Sequence, residues 1–250
     1  MKFFELLIIL FTGLGAGFIN VNAGGGSFLT IPVLIFTGLP PAMANGTNRV
    51  ALAAANIIAV LNFRKNGYFD WKPALVLALP AAAGAIAGSF ISINLPDELY
   101  NTILAIVIII VLLVIVINPQ RFIKPPVTGV KTKTLVIGSF VFFFLGIYGG
   151  VVQAGAGFLI ITSLVFLTGY SLVRINGMKV LIVLVYMSIS LVIFIASGNV
   201  NWLYALVLSI GNGTGAYLGS LFAVRHGDKW IKAILVIASL IMALKLLDVI

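Results

Sequence analysis

Apolar runs long enough to cross a bilayer recur along this chain, and they choose its solvent before any fold is considered. A spanning helix needs about 20 mostly apolar residues to cross a hydrocarbon core of roughly 30 Å. Val50–Phe63 extended back toward Ala42, Pro73–Ile93, Leu99–Ile117, Leu172–Ala196, Trp202–Val224 and Ile231–Leu247 all meet that test. Two further regions are apolar pairs split by polar, glycine-rich sequence. Phe3–Ile19 and Phe28–Phe36 flank Asn20–Ser27, while Leu135–Val152 and Phe158–Leu167 flank Gln153–Gly157. The second member of each pair is too short to span. Each pair therefore predicts a hairpin dipping into the membrane, or a span followed by a half-helix. Of the 250 residues 62% are hydrophobic and 8% charged, against about 45–50% and about 25% in soluble domains. The expected fold is an all-α polytopic membrane protein.

Composition also removes chemistries. The chain has no cysteine, and its one histidine, His226, sits between Arg225 and Asp228 in a polar stretch; no metal site and no other cofactor is expected. The formal charge of +9 comes from basic residues that lie between apolar runs. That pattern reports topology, and no nucleic-acid partner is expected. Lys2, the apolar stretch after it and Val21-Asn22-Ala23 have the form of a cleavable signal peptide. A repeat that begins inside this segment argues for its retention.

The repeat has an offset of 131 residues, as in Gly15 and Gly146 (146 − 15). In the same register fall Gly24/Gly155, Gly26/Gly157, Gly38/Gly169, Gly46/Gly177, Gly67/Gly198, Gly84/Gly215 and Gly88/Gly219. Thr37/Thr168, Asn45/Asn176, Trp71/Trp202 and Ser89/Ser220 join them. Shared leucines could be compositional; shared glycines in register are the mark of a true repeat. Gly84, Gly88, Gly215 and Gly219 have the spacing of close helix packing, and Trp71 and Trp202 suit interfacial anchors. Basic residues gather at Arg64, Lys65, Lys72; at Arg121, Lys124, Lys131, Lys133; at Arg174, Lys179; and at Arg225, Lys229, Lys232. The positive-inside bias puts all four groups on the cytoplasmic side. The helix ending at Phe63 then runs inward and its mate Leu172–Ala196 runs outward, so the halves are expected to be inverted. The expected organisation is an N-terminal repeat over 1–117, a cytoplasmic linker over 118–133 and a C-terminal repeat over 134–250. Each repeat has five helical elements, and both termini lie outside the cytoplasmic membrane.

Inverted repeats with broken helices recur in secondary transporters, whose substrate sites lie near the midplane at the breaks. Unwound backbone cannot face lipid, so these breaks must face protein or a water-filled cavity. The six acids, Glu5, Asp70, Asp97, Glu98, Asp228 and Asp248, all map to helix ends or loops. Arg49 and Lys179, by contrast, follow the duplicated Asn-Gly just inside a helix. Two cations, several amide and hydroxyl groups and no buried acid describe a site for a small anion. The candidate substrate-binding residues are Asn20, Asn22, Gly24, Gly25, Gly26, Ser27, Asn45, Thr47, Asn48, Arg49, Gln153, Gly155, Gly157, Asn176 and Lys179. Competing roles are snorkelling of the two cations to the interface, and capping of broken backbone by Asn20, Asn22, Ser27, Asn45 and Gln153.

The missing acids also bear on direction. Each negative charge leaving a negative interior gains about 2.3 kcal/mol per 100 mV, so export needs no acid to bind a coupling cation. Gly13-Leu-Gly-Ala-Gly17, Gly24-Gly-Gly26-Ser27 with Pro32, Asn45-Gly46-Thr47-Asn48, Gly155-Ala-Gly157 and Asn176-Gly177 resemble the TauE/SafE family of sulfite exporters over nearly the whole chain. That resemblance implies a membrane permease moving sulfite, sulfoacetate or a related organosulfur anion outward. The second half departs from the first at Ala156, where the middle glycine would stand, and at Ser163, opposite Pro32. A passive anion channel and a non-transporting membrane scaffold are the alternative functions. An enzyme is not expected, because intramembrane acids and His or Cys partners are missing. The expected partners are the anion and membrane lipid, and a homodimer is compatible with this reading.

Overall fold

The computed structural model describes residues 2–104, 106 and 132–246. Its elements are α1 (Lys2–Ala23), α2 (Ser27–Phe36), α3 (Pro41–Lys65), α4 (Trp71–Asn94), α5 (97–104), α6 (Thr132–Val151), α7 (Ala156–Thr168), α8 (Leu172–Ala196) and α9 (Trp202–Leu246). α9 is broken at Gly227, whose φ is 69°. The second part of the Leu99–Ile117 span and most of the 118–133 linker lie outside the described residues. Polarity is distributed for lipid: Phe3, Phe11, Phe36, Leu79, Phe140, Val192 and Ile210 are exposed, while Asn22, Asn45, Asn48, Asn176 and Ser190 are buried. Among the described residues four helices are long and apolar enough to span: Phe3–Ala23, Trp71–Asn94, Leu172–Ala196 and Trp202–Ile231. The chain is an all-α polytopic membrane protein.

Local sequence explains where the helices start and stop. Pro41 opens α3 at a position where its missing N–H is not needed. Ser171 caps α8, its side chain accepting from Arg174 N, and the Asp228 carboxylate accepts from Val173 N at 3.1 Å. Gly67 (φ 79°) follows α3 and Gly198 (φ 73°) follows α8. Each closes its helix with the next residue's N–H reaching back, Tyr68 to Phe63 O at 3.0 Å and Asn199 to Phe194 O at 2.9 Å. This duplicated glycine is a helix stop, needed because a side chain resists that φ.

Helix pairing follows the glycines. A methyl group on Gly84 or Gly88 would lie 2.0 or 2.1 Å from the carbonyl oxygen of Phe143 or Ile147, and one on Gly146 would lie 2.0 Å from Ala81 O. α4 and α6 therefore pack backbone to backbone. α1 and α9 do the same, with Gly17 against Asn212 O at 2.2 Å and Gly215 against Leu14 O at 2.0 Å. Such approach is how helices without a hydrophobic driving force between them gain packing contact. α3 packs on α9, and α8 on α4.

The register of these contacts gives direction. Gly13 meets Leu208 and Gly17 meets Asn212; Gly46 meets Asn199 and Asn62 meets Ser220. Thus α1, α3 and α9 run the same way. By the same test α4, α6 and α8 run together, through Gly84 with Phe143, Gly88 with Ile147, Gly177 with Tyr68 and Ser89 with Ser190. α3 and α8 oppose one another: Gly46 lies at Phe194 and Phe63 at Gly177. α2 folds back along α1, since Gly26 presses on Ala16 while Leu34 clusters with Ile9.

The breaks are shorter than the sequence suggests. α1 continues through Asn20 and Asn22 to Ala23, and the first break is Gly24–Gly26. The second covers residues 152–155, with Gly157 inside the first turn of α7. Asn22 stays helical because its Nδ2 donates to Phe18 O at 2.9 Å, one turn back. Helix ends only where Gly24 adopts φ 77°.

Candidate functional site

The first break touches the start of α7. A methyl group on Gly24 would lie 2.2 Å from the Gly157 carbonyl carbon and 2.4 Å from Phe158 N. Glycine is therefore required at 24 twice over, for its φ and for the close approach. Its mate Gly155 has φ 73°. Between α6 and α7 a non-glycine residue, Gln153, also takes positive φ, 54°, a strain of order 1–3 kcal/mol. Gln153 is 3% exposed and neither amide atom has a partner.

α1 and α6 end inside the protein, where their last-turn carbonyls have no helical donor. Each is capped from the opposite half. Lys179 Nζ donates to Asn20 O at 2.7 Å and to Val21 O at 2.6 Å, and Asn176 Nδ2 donates to Asn22 O at 3.4 Å. Arg49 Nη2 donates to Gly150 O at 2.6 Å and Gly149 O at 3.2 Å, and Asn45 Nδ2 donates to Val151 O at 2.8 Å. Asn45 and Arg49 are four apart and Asn176 and Lys179 three apart, so each amide and cation share one helix face. A cation at the negative end of a helix is electrostatically favoured. Snorkelling is ruled out: Arg49 is 0% and Lys179 1% exposed. Lys179 is thus no loop charge, and its place in the basic group with Arg174 is corrected by its burial one-third of the way along α8.

The remaining candidates divide. Ser27 Oγ accepts from Asn48 Nδ2 at 3.2 Å, tying the start of α2 to the residue before Arg49. Asn22 Nδ2 also reaches Gly219 O at 3.1 Å, and Asn20, Gly25 and Gly26 are buried beside it. Thr47 faces elsewhere: its Oγ1 accepts from Asn201 N at 2.9 Å, at the start of α9. Sequence reasoning missed Ser92, whose hydroxyl joins Asn45 on Val151 O, and Met187 and Phe194, which hold the Arg49 guanidinium at 3.3 Å (sulfur) and 4.4 Å (ring centroid). It also missed Tyr148, which donates to Ala154 O across the second break, and Tyr186, packed on Gly149. A phenol just before a glycine-rich break was a usable signal for Tyr148; nothing local marked the others.

Capping leaves capacity over. Lys179 has three N–H donors and Arg49 five; Arg49 Nε has no partner, nor do the amide oxygens of Asn22, Asn45, Asn48 and Asn176. Unpaired buried polar atoms cost about 1–3 kcal/mol each, so these groups gain from any polar ligand that reaches them. Charge is lopsided too. The described acids lie far from it: Asp70 pairs with Arg174 at 2.5 Å, Asp228 caps α8, Glu5 accepts from Tyr204 OH at 3.0 Å, and Asp97 and Glu98 are exposed. The negative ends of α1 and α6 and the positive ends of α2 and α7 oppose one another, which leaves two uncompensated cations. Among the described residues no three His, Cys, Asp or Glu side chains group as metal ligands.

Comparison with known proteins agrees on class. A probable membrane transporter protein of Sinorhizobium sp, ORF9, is 31% identical, covering 98% of this chain and 93% of that one. Probable membrane transporter proteins of Haemophilus influenzae (28% identical, covering 97% and 94%) and Escherichia coli (YfcA, 27%, covering 96% and 88%) are similar over the same extent. No solved structure matches the chain. The sequence profile of the family described as Sulfite exporter TauE/SafE matches residues 9–246, and with that match the chain belongs to the TauE/SafE family and is a membrane transporter.

Proposed function

We propose that this chain is a secondary transporter that exports a small inorganic or organosulfur anion, such as sulfite or sulfoacetate, across the cytoplasmic membrane by alternating access between two inverted repeats. The observation that carries the reading is the buried centre, where Arg49 and Lys179 retain unused donors with no carboxylate among the described residues near them. Antiparallel α3 and α8, which are repeat mates, support the inversion. Complete burial of the breaks supports a site shut off from both sides, the occluded arrangement that alternating access requires. The family's printed description adds sulfite as the first substrate to try.

Outward movement also suits the energetics. A dianion leaving at 100 mV, negative inside, gains about 4.6 kcal/mol without any coupled ion. The deciding experiment is efflux from proteoliposomes loaded with sulfite, sulfate, thiosulfate, sulfoacetate or a carboxylate at imposed potentials. The expected result is saturable efflux of a sulfur oxyanion that accelerates as the interior is made more negative. Efflux of none of them, or flux linear in concentration, would end the carrier reading.

A further inference from the structure

Arg49 and Lys179 occupy different depths. The Arg49 guanidinium sits on Met187 and Phe194 of α8. These lie eight and fifteen residues beyond Lys179, hence about 12 Å and 22 Å along the helix. Side chains lean toward the start of their own helix, and α3 and α8 run in opposite directions, so the two cations also lean apart. The first break runs from one level to the other. Before it, the α1 carbonyls of Asn20 and Val21 meet Lys179; after it, the Ser27 hydroxyl at the start of α2 meets Asn48 beside Arg49; Gly24, pressed on Gly157, stands between in chain order.

A small oxyanion cannot touch both cations at once across that separation. From this geometry we propose two anion subsites stacked along the transport axis, one at Arg49 and one at Lys179, so that the closed protein holds two anions. The inference rests on the anion-transport reading and deepens it. At the Arg49 level, unpartnered Arg49 Nε and the free amide of Gln153 supply donors. At the Lys179 level, one ammonium proton remains after the two carbonyl bonds, and the amide oxygens of Asn22 and Asn176, two residues tied together at the same end of α1, have no partners; such acceptors suit an oxyanion carrying a proton or a bridging water. Two charges bound at separate levels also match the two uncompensated cations.

Equilibrium dialysis of purified protein against radiolabelled sulfite, with sulfate and thiosulfate as further probes, tests this. The expected stoichiometry is two per chain, falling to one in Arg49→Gln, one in Lys179→Met and none in the double variant. Arg49→Lys and Lys179→Arg, which keep both charges, are expected to retain two, and the native count needs no variant at all. One anion per native chain would overturn the proposal and leave the anion reading standing. Two anions that are both lost on either single substitution would overturn the assignment of one to each cation. No binding of any probe would overturn the anion reading, and this inference with it.

Discussion

Lysine and arginine in a membrane helix usually reach for water. Here both reach for backbone, because α1 and α6 stop inside the protein and leave carbonyls that no lipid can satisfy. Lys179→Met therefore strands the carbonyls of Asn20 and Val21, at about 1–3 kcal/mol each. Thermal unfolding in detergent is expected to show a clear loss of stability, largely restored in Lys179→Arg. Flux separates capping from binding: if Lys179→Met folds and transports normally, Lys179 has no part in the proposed anion site. Gly24→Ala carries two penalties, a strained φ and a methyl group 2.2 Å from the Gly157 backbone. Transport is expected to vanish even where folded protein is recovered. The sequence made Gly24 conspicuous by duplication. It could not say that its partner is Gly157, which no local rule relates to it.

Among the helices, duplicated glycines do two different jobs. Gly67 closes α3 facing open space, so Gly67→Ala meets only the unfavourable φ of 79° and is expected to cost about 1 kcal/mol. Gly84 is ordinary helix, yet a methyl there would lie 2.0 Å from Phe143 O. Gly84→Ala must push α4 off α6, an overpacking cost of about 1–3 kcal/mol or more. Melting temperatures of the two variants side by side are expected to fall in that order; a reversed order would refute the α4–α6 packing. Both glycines looked alike as sequence, since register identifies a repeat and not the reason for it. Element boundaries were readable within a few residues where capping is local, as at Pro41, Ser171 and Gly198. They were overextended at Asn20, because polar residues were equated with unwound backbone, whereas an asparagine with a carbonyl one turn back remains helical, and at Gly157, which lies in the first turn of α7.

Across the whole molecule, the repeat puts matching contacts at the two ends of the bundle, Gly46 on Asn199 and Gly177 on Tyr68, and charge is what tells the ends apart. One end joins the start of α8 to the α3–α4 turn through Asp70–Arg174 and to the α9 break through Asp228. The other is closed by neutral contacts, Thr47 with Asn201 and Gly46 with Asn199. Because the native chain lacks cysteine, single cysteines at Asn66 and Asn199 are expected to react with an impermeant thiol reagent from opposite sides of the membrane. Reaction of both from one side would refute the inverted arrangement.

The sequence by itself determined the solvent, the duplication and the sign of the interior. Hydropathy, glycine register and the placement of acids are properties of residue order, and lipid enforces them without reference to any particular contact. Tertiary structure alone decided what the two cations do. Lys179 caps carbonyls 159 and 158 positions away and Arg49 caps others 100 and 101 away, and such bonds exist only once helices from opposite halves are brought together. Depth along α8, which separates the cations into two levels, likewise follows from how α3 lies against α8, a relation that periodicity within either helix does not contain.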